Sequence, residues 1–195
     1  MLAYLQQTVF ASKQKSAPTH PVLIKCHPQD DNNTILSHEQ YIIHCIAMEI
    51  ESRLVVVEEE MLTSFCGKQL PTISLELYIA RLVRHVNQKT LYPANVRSAG
   101  LQCALVALEY LDGIQLTLNS QHRLFMTAFV IAIKMYGWDD GKEVSNRALV
   151  EPTGCVLQDI NWMEMLFCTR LLQWNFSVSG EAIDHRVDSF VGDRP

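Results

Sequence analysis

The stretch that most constrains the fold runs from Gln121 to Tyr136. Between Leu124 and Ile133 every residue except Thr127 is apolar, so this segment has no polar stripe that could face water. A helix that is apolar on nearly all sides has to be surrounded by other helices. The run is shorter than the roughly 20 apolar residues that a helix needs to cross a bilayer. The segment is therefore predicted to be the central helix of a helical domain.

Length and charge limit the classes of function. The chain has 195 residues, of which 48% are hydrophobic and 19% charged, and this is enough for one globular domain with a substantial core. The formal net charge is −5 and no block of lysines or arginines occurs, so neither nucleic acid nor a membrane is an expected partner. The six cysteines are scattered without a CxxC pair, which is typical of reduced thiols in an intracellular protein.

The N-terminal third of the chain is predicted to contain an arm followed by a helical region. Residues 1–37 hold several prolines among polar residues and are expected to be mobile. They lack the basic start and apolar run of a secretory signal, so the protein is expected in the cytoplasm, the nucleus or both. Residues 38–66 show apolar positions at helical spacing, which predicts one long or two short helices. The triplet Val55 to Val57 is alternatively a short strand, although its surroundings favour a helix.

Five helices are predicted between Ser74 and Phe176. Ser74 is placed as the N-cap of the first, an amphipathic helix with apolar residues at 75, 78, 79, 82, 83 and 86. The second covers residues 96–111, the third is the central helix, a short fourth covers residues 142–150, and the last carries its apolar face from Ile160 to Trp174. Residues 179–195 are interpreted as a polar tail. The fold class is therefore all-α, with one additional helical region at the N-terminal side.

Catalytic and cofactor motifs are not found in the sequence. No glycine-rich phosphate loop and no GxSxG motif occurs, and no cysteine lies in a recognisable nucleophile motif. His38 and His44 are six residues apart, whereas the two histidines of a zinc-binding helix are separated by four. Asp139 and Asp140 lie between glycines and are interpreted as solvated loop residues. We therefore expect no enzyme activity, no cofactor, no metal and no small-molecule substrate.

A set of motifs distributed over all five predicted helices resembles the cyclin box, and most closely the phosphate-pathway (P- or U-type) cyclins. The motifs are Pro71-x-Ile73-Ser74-x-x-x-Tyr78-x-x-Arg81-Leu82, Ala107-x-x-Tyr110-Leu111-Asp112, His122-Arg123-Leu124, Ala132-x-Lys134, Asn146, and Asn161-x-x-Glu164. The resemblance implies a single five-helix cyclin box over residues 71–178. It also implies a regulatory subunit that binds and activates a cyclin-dependent serine/threonine protein kinase in the cell cycle or in nutrient signalling.

The resemblance further implies roles for individual residues. Lys134 and Glu164 occupy the positions at which the family hydrogen-bonds to the main chain of the kinase. The residues that match the apolar docking surface of the family are Ile131, Met135, Phe167, Cys168 and Leu171. Arg81 and Asp112 match an ion pair that stabilises the box.

Two departures and one alternative accompany this assignment. Cys168 stands where a leucine is common, and the ending Leu172-x-Trp174-x-Phe176 falls one residue later than is usual in the family. The alternative is a transcription-type adaptor that uses the same fold without a kinase. That function calls for a second box, a zinc ribbon and a basic face, and the sequence provides none of them.

Overall fold

The fold is all helical in the part of the chain that the computed structural model describes, which is residues 38–55, 64–67, 71–89, 98–136 and 145–192. The helices are α1 His38–Ser52, α2 Leu75–Lys89, α3 Ala99–Tyr110, α4 Gln121–Tyr136, α5 Val150–Thr153, α6 Leu157–Leu166 and α7 Gly180–Gly192. A 3-10 turn, Asn146–Leu149, leads into α5, and a π-helical turn, Phe167–Leu171, extends α6. The prediction of an all-α fold is confirmed.

Helix α4 lies in the centre of the domain, as its composition predicts. Twelve of its sixteen residues are buried, and it contacts α2, α3 and α6. Helix α3 shares this central position, since ten of its twelve residues are buried and it contacts α1, α2, α4 and α7. The two apolar helices together form the middle of the core, and the amphipathic helices pack around them.

Helix α1 is shorter than the predicted helical region. It ends at Ser52, and Leu54 then forms an isolated parallel bridge with Leu116, in which the Val55 N–H donates to the Leu116 carbonyl at 3.0 Å. Val55 is therefore in neither a helix nor a strand, so the helix favoured for the triplet is not formed at that residue, and Val56 and Val57 lie outside the described residues. Residues 64–67 form a turn and not a helix.

Helices α2 and α3 approach each other closely at Gly100. A Cβ at this position would lie 2.4 Å from the Val83 carbonyl oxygen and 2.7 Å from the Asn87 side-chain oxygen. The Gly100 N–H donates to that same oxygen of Asn87 at 2.9 Å, and Ser98 caps α3 by accepting a hydrogen bond from the Leu101 N–H. The absence of a side chain at Gly100 therefore allows the two backbones to meet.

The C-terminal segment is not merely a polar tail. Residues 180–192 form α7, which packs on α1 and α3 and buries Ile183 and Val187. Its Arg186 donates to Glu109 of α3 at 2.7 Å and to Glu49 of α1 at 2.5 Å. Burial alone would lower the pKa of Arg186, but the hydrogen bond to Glu109 and the charge of Glu49 raise it overall. One arginine therefore joins three helices.

The predicted ion pair between Arg81 and Asp112 is wrong. Asp112 follows α3 near the α1 side of the domain, where its carboxylate lies 3.9 Å from Arg53 and is 72% exposed. Arg81 lies on the outer face of α2 with its guanidinium 5.0 Å from the ring centroid of Tyr78. The guanidinium of Arg81 also lies near Gly154 at the end of α5, whereas Asp112 lies near the end of α1, so the two residues have different neighbours.

Some predictions concern residues outside the described ranges. They include the mobile arm 1–37, the loop acids Asp139 and Asp140, and the first residues of the predicted short helix 142–150. The described part of that segment is the 3-10 turn followed by α5, which extends past the predicted end at Val150 and stops at Gly154 in a left-handed conformation. Among the described helices, none has the length and apolar character that crossing a membrane requires.

We expect Arg186→Ala to lower the free energy of unfolding by about 2–4 kcal/mol, because it leaves two largely buried carboxylates without their shared cation. Urea denaturation followed by circular dichroism measures this change. Arg170→Ala is the control, since Arg170 is exposed and forms no ion pair with another described residue. An equal effect of the two substitutions would contradict the bridging role of Arg186.

We expect Gly100→Ala to lower the free energy of unfolding by about 1–3 kcal/mol, because the new methyl group collides with the Val83 carbonyl and forces α2 and α3 apart. Gly180→Ala serves as the control, as no atom lies within 4 Å of the position that its Cβ would take. Thermal melts of both variants and the parent make the comparison. A Gly100→Ala melt that coincides with the parent would show that the helices can separate without cost.

Candidate functional site

The candidate site lies where α4 and α6 emerge side by side from the core. Lys134 is in the last turn of α4, where the helix dipole favours a cation, and Glu164 is in α6. Their side chains meet with Lys134 Nζ 2.5 Å from Glu164 Oε1 and remain 30% and 21% exposed. The structure thus brings together the two residues that the sequence analysis singled out.

Two asparagines complete a polar cluster around Glu164. The Asn146 side-chain amide lies 2.6 Å from Glu164 Oε2 and 2.7 Å from Asn161 Oδ1, and it donates to both. Each carboxylate oxygen of Glu164 therefore has a donor, from α4 on one side and from the 3-10 turn on the other. We call Lys134, Asn146, Asn161 and Glu164 the KNNE cluster. Its carboxylate is held in place before any partner arrives.

The hydrogen-bonding groups of the KNNE cluster are suited to binding the main chain of a partner. The ammonium group of Lys134 has three donors, of which Glu164 occupies one, and the carboxylate oxygens of Glu164 each have a further lone pair. Such groups can hydrogen-bond to main-chain carbonyls and amides of a partner whatever its side chains are. The described residues contain no group of histidines, cysteines and carboxylates arranged to hold a metal ion.

Three of the predicted docking residues are inside the protein. Ile131, Phe167 and Cys168 are buried, because α4 is enclosed on all sides as far as Ile133 and the π-turn points Phe167 into the core. Burial raises the pKa of the Cys168 thiol, and the charge of Glu164 raises it further. The prediction that these residues line the surface is therefore corrected: all three belong to the hydrophobic core.

The other two predicted docking residues are accessible. Met135 follows Lys134 and is half exposed, and Leu171 is partly buried against the core. The sequence analysis missed Met165, which is 43% exposed and lies four residues after Asn161 on the same face of α6. The four-residue spacing from Asn161 to Met165 can be read from the sequence. Whether that face of α6 is exposed can be judged only when the core-facing side of the helix is known.

Aromatic residues fix the chain beside the cluster. The Tyr110 and Tyr136 hydroxyls both donate to the Phe176 carbonyl, at 2.9 and 2.7 Å, and the Tyr136 hydroxyl accepts from the Val178 N–H at 3.1 Å. The turn between α6 and this segment has Gln173 and Trp174 at positive φ, and Trp174 is exposed. Sequence reasoning missed this turn, because neither residue is a glycine or an asparagine.

Comparison with known proteins identifies a protein family. The sequence matches a family model described as Cyclin over residues 5–176. The matched range begins well before residue 71 and ends ahead of α7, so it covers α1, the KNNE cluster and the aromatic turn. The search of curated proteins found no match.

We expect Asn146→Asp to make stability fall as the pH rises through the range in which carboxylic acids ordinarily ionise, above about 4. The new carboxylate would face that of Glu164 at hydrogen-bond distance, which raises the pKa of the pair in the folded state. The folded protein would then bind more protons than the unfolded chain, so the free energy of unfolding decreases with pH relative to the parent.

Urea denaturation at pH 5 and pH 8 measures this effect. Asn175→Asp is the control, since the Asn175 oxygen only accepts a hydrogen bond, from the Ser177 N–H, and an aspartate can replace it. If Asn146→Asp shows the same pH dependence as the parent, Asn146 does not hold Glu164 through its amide in solution.

Proposed function

Because the chain belongs to the cyclin family, we propose that it is the regulatory subunit of a cyclin-dependent serine/threonine protein kinase, which it activates by binding through the KNNE cluster. Members of this family are generally regulatory rather than catalytic. We further propose that the chain is of the P- or U-type, on the strength of the motif from Pro71 to Arg81. A regulator of this kind acts in the cytoplasm or the nucleus.

The observation that carries this proposal is the pairing of Lys134 with Glu164 at the edge of the core. The pair is anchored on two helices, and the nearby buried residues leave it little freedom to reorient. A rigid pair of opposite charges can hold a backbone segment by one carbonyl and one amide at the same time. The exposed side chains of Met135 and Met165 would exclude water from these bonds and strengthen them.

Activation follows from selective binding. A kinase is active when its mobile helix brings a glutamate to the lysine that holds the ATP phosphates. A partner that binds this arrangement and not the open one shifts the population toward it. To move a kinase from 1% to 99% active, the difference in binding free energy has to reach about 5.5 kcal/mol. A rigid surface is suited to this, because it does not adapt to the inactive arrangement.

The adaptor alternative receives less support. The chain has a net charge of −5, and a protein that bridges transcription factors and DNA would need a basic face large enough to bind a duplex. A pull-down from cells that express the tagged chain separates the two functions, because it recovers either a protein kinase or DNA-bound factors.

We expect the double substitution Lys134→Ala with Glu164→Ala to abolish kinase activation while the protein remains folded. Truncating buried interfacial charges costs about 2–5 kcal/mol, which is roughly a thirty- to several-thousand-fold loss of affinity. Affinity for the recovered kinase and phosphorylation of a peptide substrate are the measurements.

A matched control is available in the pair of His44 and Glu76, which joins α1 to α2 at 2.9 Å on the surface. Replacing both by alanine should leave kinase activation unchanged. The charge swap Lys134→Glu with Glu164→Lys provides a second check. It can restore the ion pair, but it places the carboxylate on α4 and the ammonium group on α6, so each group of the kinase backbone would meet the opposite charge. Normal activation by both the alanine and the swap variants would mean that the kinase binds elsewhere.

A further inference from the structure

The exposed face of α2 carries a row of basic side chains that the proposed function does not use. Arg81, Arg84, His85 and Lys89 are spaced i, i+3, i+4 and i+8, so they lie on one side of the helix. Arg81, Arg84 and Lys89 are exposed, and His85 is partly buried. The row extends over about 12 Å of helix. We refer to these four residues as the α2 basic stripe.

The arginines and the lysine of the stripe have no acidic partner in the part of the chain that the structure describes. Among the described residues, no carboxylate is within ion-pair distance of Arg81, Arg84 or Lys89. Elsewhere in the same part of the chain, cations at helix contacts do form ion pairs with carboxylates, as Arg53, Arg123, Lys134 and Arg186 do. In a protein with a net charge of −5, this unneutralised positive row is a distinct electrostatic feature.

Arg81 is held in place although it is exposed. Its guanidinium lies 5.0 Å from the centroid of the Tyr78 ring, and the Tyr78 hydroxyl donates to the Thr153 carbonyl at 3.0 Å. Stacking on a fixed ring restricts the side chain, so less conformational entropy is lost when the guanidinium binds an anion. One end of the stripe is therefore pre-organised.

Burial and neighbouring charges affect the pKa of His85, which lies at the centre of the stripe. Burial and the charge of Lys89 lower the pKa of His85, and Glu151 on α5 opposes this shift. The permanent positive charges at neutral pH are therefore those of the two arginines and Lys89, with the imidazole of His85 between them as a neutral hydrogen-bonding group.

We propose that the α2 basic stripe binds an acidic segment of another protein in extended conformation. Positions 81, 85 and 89 are about 6 Å apart along the helix axis. Alternate side chains of an extended chain point the same way at intervals of about 6.6 Å, so acids at every second position match the stripe. Leu77 is one turn before Arg81 and is 61% exposed, which suits an apolar residue two positions beyond the last acid.

The small number of positive charges in the stripe favours an acidic protein segment over nucleic acid as the partner. The stripe has three permanent charges, whereas a DNA duplex presents one negative charge per about 1.7 Å of axis and would extend past the stripe over the rest of an acidic surface. A short acidic segment meets only the stripe. On the premise of the proposed function, such a segment would belong to a substrate or regulator that the cyclin brings to its kinase.

The stripe is separate from the KNNE cluster. None of its four residues forms a hydrogen bond or ion pair with Lys134, Asn146, Asn161 or Glu164. A protein bound at the stripe can therefore be held while the kinase occupies the cluster, and the two sites can be tested independently.

The test uses the full chain alone and a fluorescein-labelled peptide, Leu-Ser-Asp-Ser-Asp-Ser-Asp-Ser, in a fluorescence anisotropy titration at low salt. We expect binding that weakens as salt is added, and no binding of the same peptide with asparagine for aspartate. Arg84→Glu with Lys89→Glu should weaken the affinity at least tenfold. Both residues are exposed and lack described partners, so the fold is expected to persist, which circular dichroism verifies.

Arg147→Glu with Arg170→Glu is the matched control, as it changes the net charge by the same amount at exposed positions outside the stripe. It should change the affinity less than twofold. The proposal is overturned if the parent does not bind the acidic peptide, or if the control variant loses affinity as much as the stripe variant. It is also overturned if a thymidine oligonucleotide of equal charge binds more tightly than the peptide. Because no kinase is present, these outcomes leave the proposed function unaffected.

Discussion

The structure depends on the enclosure of α3 and α4, two helices that are apolar on nearly all sides. Such helices are stable in water only when other helices cover them in every direction, and this requirement fixes the arrangement of α1, α2, α6 and α7. It also fixes the position of the functional cluster. Helix α4 is buried through Ile133, so Lys134 is the first residue at its C-terminal end whose side chain reaches the surface.

The same enclosure explains why the cluster is rigid. Glu164 is on a helix whose core-facing side is buried, with Ile160 one turn before Glu164 and Met163 next to it, and Lys134 follows directly after a buried turn. The core beneath them fixes the backbone positions from which both side chains project, because closely packed interiors resist movement. The geometry of the KNNE cluster therefore depends on the apolar interior as much as on the charged atoms.

Sequence patterns predicted the helices well where a helix is apolar on nearly all sides or has one clearly apolar face, and less well elsewhere. The central helix and α2 follow from composition and spacing, and the proximity of Lys134 to Glu164 followed from the family resemblance. Helix α7 was missed because its apolar residues are sparse among charged ones, although Ile183 and Val187 have helical spacing. The partner of Asp112 and the burial of Ile131 depend on how helices cross, and spacing along one helix carries no information on that. The same holds for Phe167, whose direction is set by the π-turn.

The π-turn has a consequence for how the length of this chain varies. A regular helix turns by about 100° per residue, so one extra residue would rotate everything after it away from its neighbours. Here Leu172 bonds back to Phe167 and Trp174 to Cys168, so the wider turn absorbs an additional residue before the chain leaves the helix. This accounts for the ending at Phe176 being one residue late, while its carbonyl still receives both tyrosine hydroxyls. Because Asn161 and Glu164 precede the π-helical turn, adding or removing one residue within the turn would leave their positions on α6 unchanged.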